Sequence, residues 1–184
     1  MIRPIVAYGD PLLKKKSVDI VENFPQLSVL IDDMFETMYA ASGVGLAAPQ
    51  IGLNVRLFVV DGAPIDDEDL KDFKKVFINP TIVHEEGKEW AYEEGCLSIP
   101  GIREDVYRSE KLTIQYVDEN WIEHTEHFEG IRARIIQHEY DHIEGILFTD
   151  HLSGFKRRLL KGKMQNISKG KVDVSYRMKF PAKT

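Results

Sequence analysis

His138-Glu139-Tyr140-Asp141-His142 constrains this chain more than any other stretch, because it falls inside a helical pattern. Two imidazoles four residues apart project from one face of a helix, one turn from each other, so both can reach a single metal ion. The glutamate between them can stand beside a metal-bound water without being used as a ligand. Ile131, Ile135, His138 and His142 recur at spacings of four, three and four. The histidines thus continue a stripe that begins apolar and are expected to point inward, where each needs a ligand or a hydrogen bond. Two inward histidines can be plain core residues with backbone partners. The neighbouring Glu139 weighs against that, since a buried carboxylate needs a partner of its own.

Such a site needs at least one more protein ligand. The extended pattern H-E-x-x-H-x-x-G-x-x-H is followed as far as Gly145, but Phe148 stands where the third histidine would be, and His151 lies three residues further on. No glutamate follows Glu144. The ligand must come from upstream, where the candidates are Cys96, His84, His124, His127 and several acids. His124 and His127 stand at odd separation in an expected strand, so they face opposite sides and cannot both ligate. A lone cysteine is most often a small buried hydrophobe. Cys96 nevertheless has the better context, with Gly95 before it and Pro100-Gly101 expected to stop its strand soon after. Cys96, His138 and His142 would leave one tetrahedral position open, which marks a catalytic rather than a structural metal. Water would then be activated near neutrality, with Glu139 as proton carrier. A backbone N–H after Cys96 and the Gln50 amide are the neutral donors at hand for an oxyanion. This describes hydrolysis of an amide.

The rest of the chain frames that site. Its 184 residues suit one domain. A single cysteine excludes an internal disulfide and fits a reducing compartment. No apolar run approaches a membrane span, and the opening residues show no signal-peptide pattern, so a soluble cytoplasmic protein is expected. The net charge of −6 is unevenly spread: residues 1–150 hold 14 Lys and Arg against 29 Asp and Glu, and residues 151–184 hold 10 against one. The basic tail reads either as a solvated helix that pairs with the acidic body or as a docking element for RNA or another polyanion.

Leu27, Leu30, Ile31, Met34, Phe35 and Met38 predict an amphipathic helix, ended by Gly43. A small-residue loop follows from Gly43 to Gly52, with Gln50 its one polar side chain. Strands are expected at 55–60, at 75–83 with a break at Asn79-Pro80, and at 88–93 as the neighbour of that strand. The acidic segment 61–72 reads as a solvated loop, and 111–117 with 121–128 as a hairpin. Ser153 caps a last helix whose apolar face is Phe155, Leu159, Leu160, Met164 and Ile167, and 172–180 is expected to be extended. The pattern is an α+β domain spanning 1–184, with short antiparallel and mixed sheets around a central metal-binding helix, an amphipathic N-terminal helix and a basic C-terminal helical tail over 151–184.

Three stretches together resemble the peptide deformylase family, which carries G-x-G-L-A-A-x-Q, E-G-C-L-S and H-E-x-D-H. Here they read Gly43-Val44-Gly45-Leu46-Ala47-Ala48-Pro49-Gln50, Glu94-Gly95-Cys96-Leu97-Ser98 and His138-Glu139-Tyr140-Asp141-His142, in the family's order. The resemblance covers nearly the whole chain. It implies removal of the formyl group from the N-terminal methionine of nascent polypeptides, with an N-formyl-methionyl peptide as substrate. It also implies that Cys96, His138 and His142 hold one divalent metal, Fe2+ in most of the family, with Zn2+, Ni2+ or Co2+ able to replace it. Glu139 would be general base and acid, and Gln50 with the Leu97 N–H would hold the formyl oxygen. The backbone of Gly43, Val44, Gly45 and Leu46, with that of Glu94 and Gly95, would bind an extended peptide by β-addition. Ile131, Ile135 and Leu97 would line the methionine pocket, with Arg103 at its mouth. The tail resembles the family's long C-terminal-helix class, which implies ribosomal RNA as a partner.

Two rival readings are a zincin-like endopeptidase, opposed by Phe148 and Cys96, and a non-enzymatic RNA- or ribosome-binding module with a structural metal, opposed by the open fourth position.

Overall fold

All six residues of the stripe from Leu27 to Met38 are buried along one helix, which is the sequence pattern realised in full. The computed structural model describes residues 1–181, and 182–184, the end of the expected basic tail, lie outside the described residues. In chain order the elements are β1 (Ile5–Val6), α1 (Leu27–Ala40), β2 (Gly45–Ala47), β3 (Leu57–Asp61), β4 (Lys74–Cys96), β5 (Ile99–Val117), β6 (Glu123–Glu129), α2 (Gly130–Ile143), α3 (Gly154–Ser168) and β7 (Met178–Lys179). β2 to β6 form one antiparallel sheet in sequence order, and β1 pairs with β7 in parallel.

β3 shows how the sheet is used. Leu57 and Val59 join α1 in one apolar cluster, whereas Phe58 and Val60 join Ala133, Ile135 and Ile136 of α2 in another. Alternate side chains of a strand leave opposite faces, so this strand is covered on both faces and reads as an unbroken apolar run. Phe58 and Phe77 stack with ring centroids 4.7 Å apart at the centre of the α2 side. A third cluster joins the N-terminal segment, the start of β5, the residues after α2 and the inner face of α3.

Several expectations need correction. The strands at the centre of the antiparallel sheet are long, not short: 75–83 and 88–93 are parts of one 23-residue strand, β4, and its neighbour is the 19-residue β5. Asn79 is accommodated in that strand at φ 49°, with its side-chain amide bonded to both backbone groups of Ile20, which gives those groups partners beside the break. Pro100-Gly101 does not stop the strand of Cys96. The turn is Leu97-Ser98, and the pairing passes from Gly95 with Arg103 to Cys96 with Ile99, so Pro100, Gly101 and Ile102 bulge out of register. α1 ends at Ala40, and Ser42 rather than Gly43 takes the left-handed conformation, φ 56°. Ser153 caps α3 as expected, but Phe155 and Leu159 are 63% and 67% exposed, and the buried face is Met164 and Ile167.

Candidate metal centre

α2 is fixed to the sheet by Ala133, Ile136 and Ile143, all fully buried at helical spacing. His138 and His142 stand on a different side of that helix and face the end of β4. Cys96 is the last residue of β4, and its Sγ lies 3.3 Å from His142 Nε2. One ligand atom from each of Cys96, His138 and His142 falls within 4.8 Å of the others. Their thiol and two imidazoles suit a borderline divalent metal, so the residues present fit such an ion. Among the described residues this is the one such grouping found. Burial pushes the Cys96 thiol up, but the neighbouring imidazoles of His142 and His138 outweigh it and bring the thiol to about 5. The sulfur therefore stands ready as thiolate, the form that binds metals.

Glu94 organises what lies behind His138. Its Oε1 is 2.8 Å from His138 Nδ1, which directs that ring's Nε2 toward the cysteine side. Arg108 grips both carboxylate oxygens at 2.8 and 3.0 Å, and Arg134 Nη1 donates to Oε2 at 2.9 Å. All three side chains are buried. Burial would raise the Glu94 carboxyl, yet His138 and Arg108 hold it well below the usual carboxylate range. Arg108 also donates to Asp141 at 2.7 Å, and Asp141 is 2.8 Å from His151 Nε2. His151 is thus occupied with Asp141. Phe148 packs its ring 6.1 Å from that of His138, filling space where the extended motif would carry a ligand.

Glu139 is buried, its Oε2 has no hydrogen-bond partner, and burial raises its carboxyl beyond what the two imidazoles take back. A buried carboxylate with an unpaired oxygen is a group held ready for something that arrives. Gly45 makes this possible: a Cβ there would lie 2.7 Å from Glu139 Cδ. Gln50 is fixed through Oε1, which accepts from the Ala47 N–H at 2.9 Å. Its Nε2 is only loosely engaged, 3.5 Å from Cys96 Sγ and 3.3 Å from Ser98 Oγ, and it faces the thiol.

A cleft of about 870 Å³ opens onto these groups. Gly43, Val44, Gly45, Gln50, Glu94, Gly95, Cys96, Leu97, Arg103, Ile131, Ile135, His138 and Glu139 all line it. Leu46 and His142 do not: Leu46 is buried in the α1 cluster, and His142 is buried behind Cys96. Arg103 is an exposed side chain paired with Glu93 at 3.0 Å. β2 is the edge of its sheet, and among the described residues no strand pairs with its other side. His84, His124 and His127 play no part: His84 is exposed beside Glu86, His124 bonds Asp118, and His127 bonds Thr113.

Sequence reasoning missed Arg108, Arg134, Ser98 and the wall formed by residues 173–176. Arg134 carried a signal, since it precedes His138 by one helical turn. Arg108 carried none, because its distance from Glu94 is set by the long β4–β5 pairing.

Residues 2–158 match the family described as polypeptide deformylase. The chain is 62% identical to the peptide deformylase of Cytophaga hutchinsonii, over 100% of both chains. It is 60% identical to that of Christiangramia forsetii, over 98% of this chain and 97% of the relative. Among solved structures, a peptide deformylase from Legionella pneumophila superposes with a TM-score of 0.81 at 40% identity, covering 93% of this chain and 98% of the other. The peptide deformylase of Thermus thermophilus gives 0.82 at 39% identity, covering 92% and 99%.

Proposed function

The chain belongs to the peptide deformylase family and is a metal-dependent hydrolase, and from that premise we propose that it hydrolyses the N-formyl group of formyl-methionine at the start of nascent polypeptides, releasing formate. The observation that carries this reading is the convergence of Cys96, His138 and His142 beside the unpaired carboxylate of Glu139, in one cleft.

Cys96, His138 and His142 would hold the ion, natively Fe2+, with Zn2+, Ni2+ or Co2+ as replacements that the same thiolate and imidazole donors accept. When bound, the ion would supply the Lewis acidity that makes water nucleophilic near neutral pH. Glu139 takes a proton from the attacking water as its oxygen bonds to the formyl carbon. The same carboxyl then gives the proton to the departing amine as the carbon–nitrogen bond breaks. Its raised pKa suits both roles. The Leu97 N–H and the loosely engaged Gln50 Nε2 donate to the formyl oxygen as it gains charge.

The peptide lies extended along the free edge of β2, using the backbone of Gly43, Val44, Gly45 and Leu46, and meets Glu94-Gly95 from the other side. Ile131, Ile135 and Leu97 give the methionine side chain an apolar wall, with Arg103 at the mouth. We read 1–184 as one catalytic unit working in the cytoplasm. The exposed Arg157, Arg158 and Lys161 of α3 support a salt-sensitive contact with ribosomal RNA.

Incubation of the metal-loaded chain with a formyl-methionyl peptide tests this. Formate and a free amino terminus should appear in equal amounts. Cleavage of internal peptide bonds instead would favour a zincin-like endopeptidase.

A further inference from the structure

The turn that carries Leu97 is held from both ends of the chain. Tyr176 Oη donates to the Leu97 carbonyl at 2.8 Å, and the Tyr8 N–H donates to the Ser98 carbonyl at 2.9 Å. Those two anchors are themselves joined, because β1 and β7 pair in parallel, with Ile5 N–H to Arg177 O and Ala7 N–H to Lys179 O, each 2.9 Å. Met178 and Phe180 pack on the cluster that contains Ile99 and Ile102, against which Cys96 also rests. The segment 173–176 thereby lies along the cleft. Burial, with the charge of Cys96 adding to it, pushes the Tyr176 phenol up to about 12, so its hydroxyl remains a donor throughout the neutral range.

A two-residue turn between long strands has one internal freedom that matters here, rotation of the Leu97-Ser98 peptide plane. A hydrogen bond to the Leu97 carbonyl fixes that plane. The Leu97 N–H lies in the preceding Cys96-Leu97 plane, joined to it at the Leu97 Cα, so a held carbonyl leaves that N–H less room to turn. A donor in an oxyanion site contributes only when it is aimed where charge develops. We propose that Tyr176 is a positioning residue for the reaction: by holding the Leu97 carbonyl, the segment 173–176 sets the aim of the Leu97 N–H and walls the cleft beside it. The role of that N–H rests on the deformylase reading, whereas the hold on the turn does not.

The test is Tyr176→Phe in the full chain loaded with Ni2+, which keeps the ring and removes the hydroxyl. Amide hydrogen exchange over residues 96–99 should quicken while β3 stays protected, and bound metal should match the wild type. With a formyl-methionyl peptide, kcat should fall about three- to tenfold, the size of one lost hydrogen bond, and KM should stay within about twofold. Unchanged exchange over 96–99 would overturn the proposal, as would unchanged kcat. Faster exchange together with an inactive wild type would support the hold on the turn and sink the deformylase reading instead.

Discussion

Glu94 Oε1 lies 2.8 Å from His138 Nδ1, and the same carboxylate is gripped by Arg108 and Arg134. One buried anion thus orients the His138 imidazole and pairs with two buried guanidiniums, one of which Asp141 shares. Glu94→Ala should lose on both counts. Leaving Arg134 with carbonyl acceptors alone, and Arg108 with Asp141 as its one carboxylate, should cost about 3–5 kcal/mol of stability. Loss of the imidazole's support should weaken metal binding about 10- to 100-fold. Urea unfolding and chelator competition measure the two effects separately, and unchanged metal affinity would contradict the orienting role.

Gly45 stands where a methyl group would strike the Glu139 carboxylate. Gly45→Ala should therefore displace Glu139 and lower kcat about 100-fold, while circular dichroism and metal content stay as in the wild type. Activity close to wild type would mean that Glu139 works from another position.

Much of this site was legible in the sequence for a physical reason. His138, Glu139 and His142 share one helix, where spacing alone fixes geometry, and the α1 stripe is legible in the same way. Cys96 could be singled out only because the other candidates were weaker, since what brings it to α2 is the end of β4. Arg108 and Tyr176 were not legible at all. Arg108 meets Glu94 through strand register, and Tyr176 meets Leu97 through a parallel pairing of the two chain ends. Phe155 and Leu159 misled because helical spacing cannot say which side of an amphipathic stripe finds a partner.

The Arg56–Glu144 pair predicts a one-sided pH dependence. Arg56 Nη1 meets Glu144 Oε1 at 2.6 Å, and Lys16 meets Oε2 at 3.1 Å. Burial pushes the Glu144 carboxyl up, but these two cations outweigh it and hold it below its usual 4.5. A depressed folded-state pKa contributes stability that is present above the unfolded value and lost as pH falls through the folded one. Glu144→Gln should therefore be less stable than wild type above about pH 5, and the gap should close on acidification. Urea midpoints across that range check it, and a gap that widens in acid would refute it.

Metal should also stabilise the fold, because the three proposed ligands come from β4 and α2. Free metal at about 100 times Kd adds about 2.7 kcal/mol, which for this length raises Tm by about 5–10 °C. A chelator should remove that rise, and Cys96→Ala should abolish most of it. An unchanged Tm on chelation would place the metal elsewhere.

The central claim is that Cys96, His138 and His142 hold a metal beside a carboxylate that moves the proton. Formate release from a formyl-methionyl peptide, measured for metal-loaded wild type and Glu139→Ala with bound metal quantified in both, tests it most directly. Wild type should release formate, and the variant should keep its metal while losing about 10²- to 10⁴-fold in kcat. No formate from the loaded wild type, or a Glu139→Ala variant as fast as wild type, would contradict it.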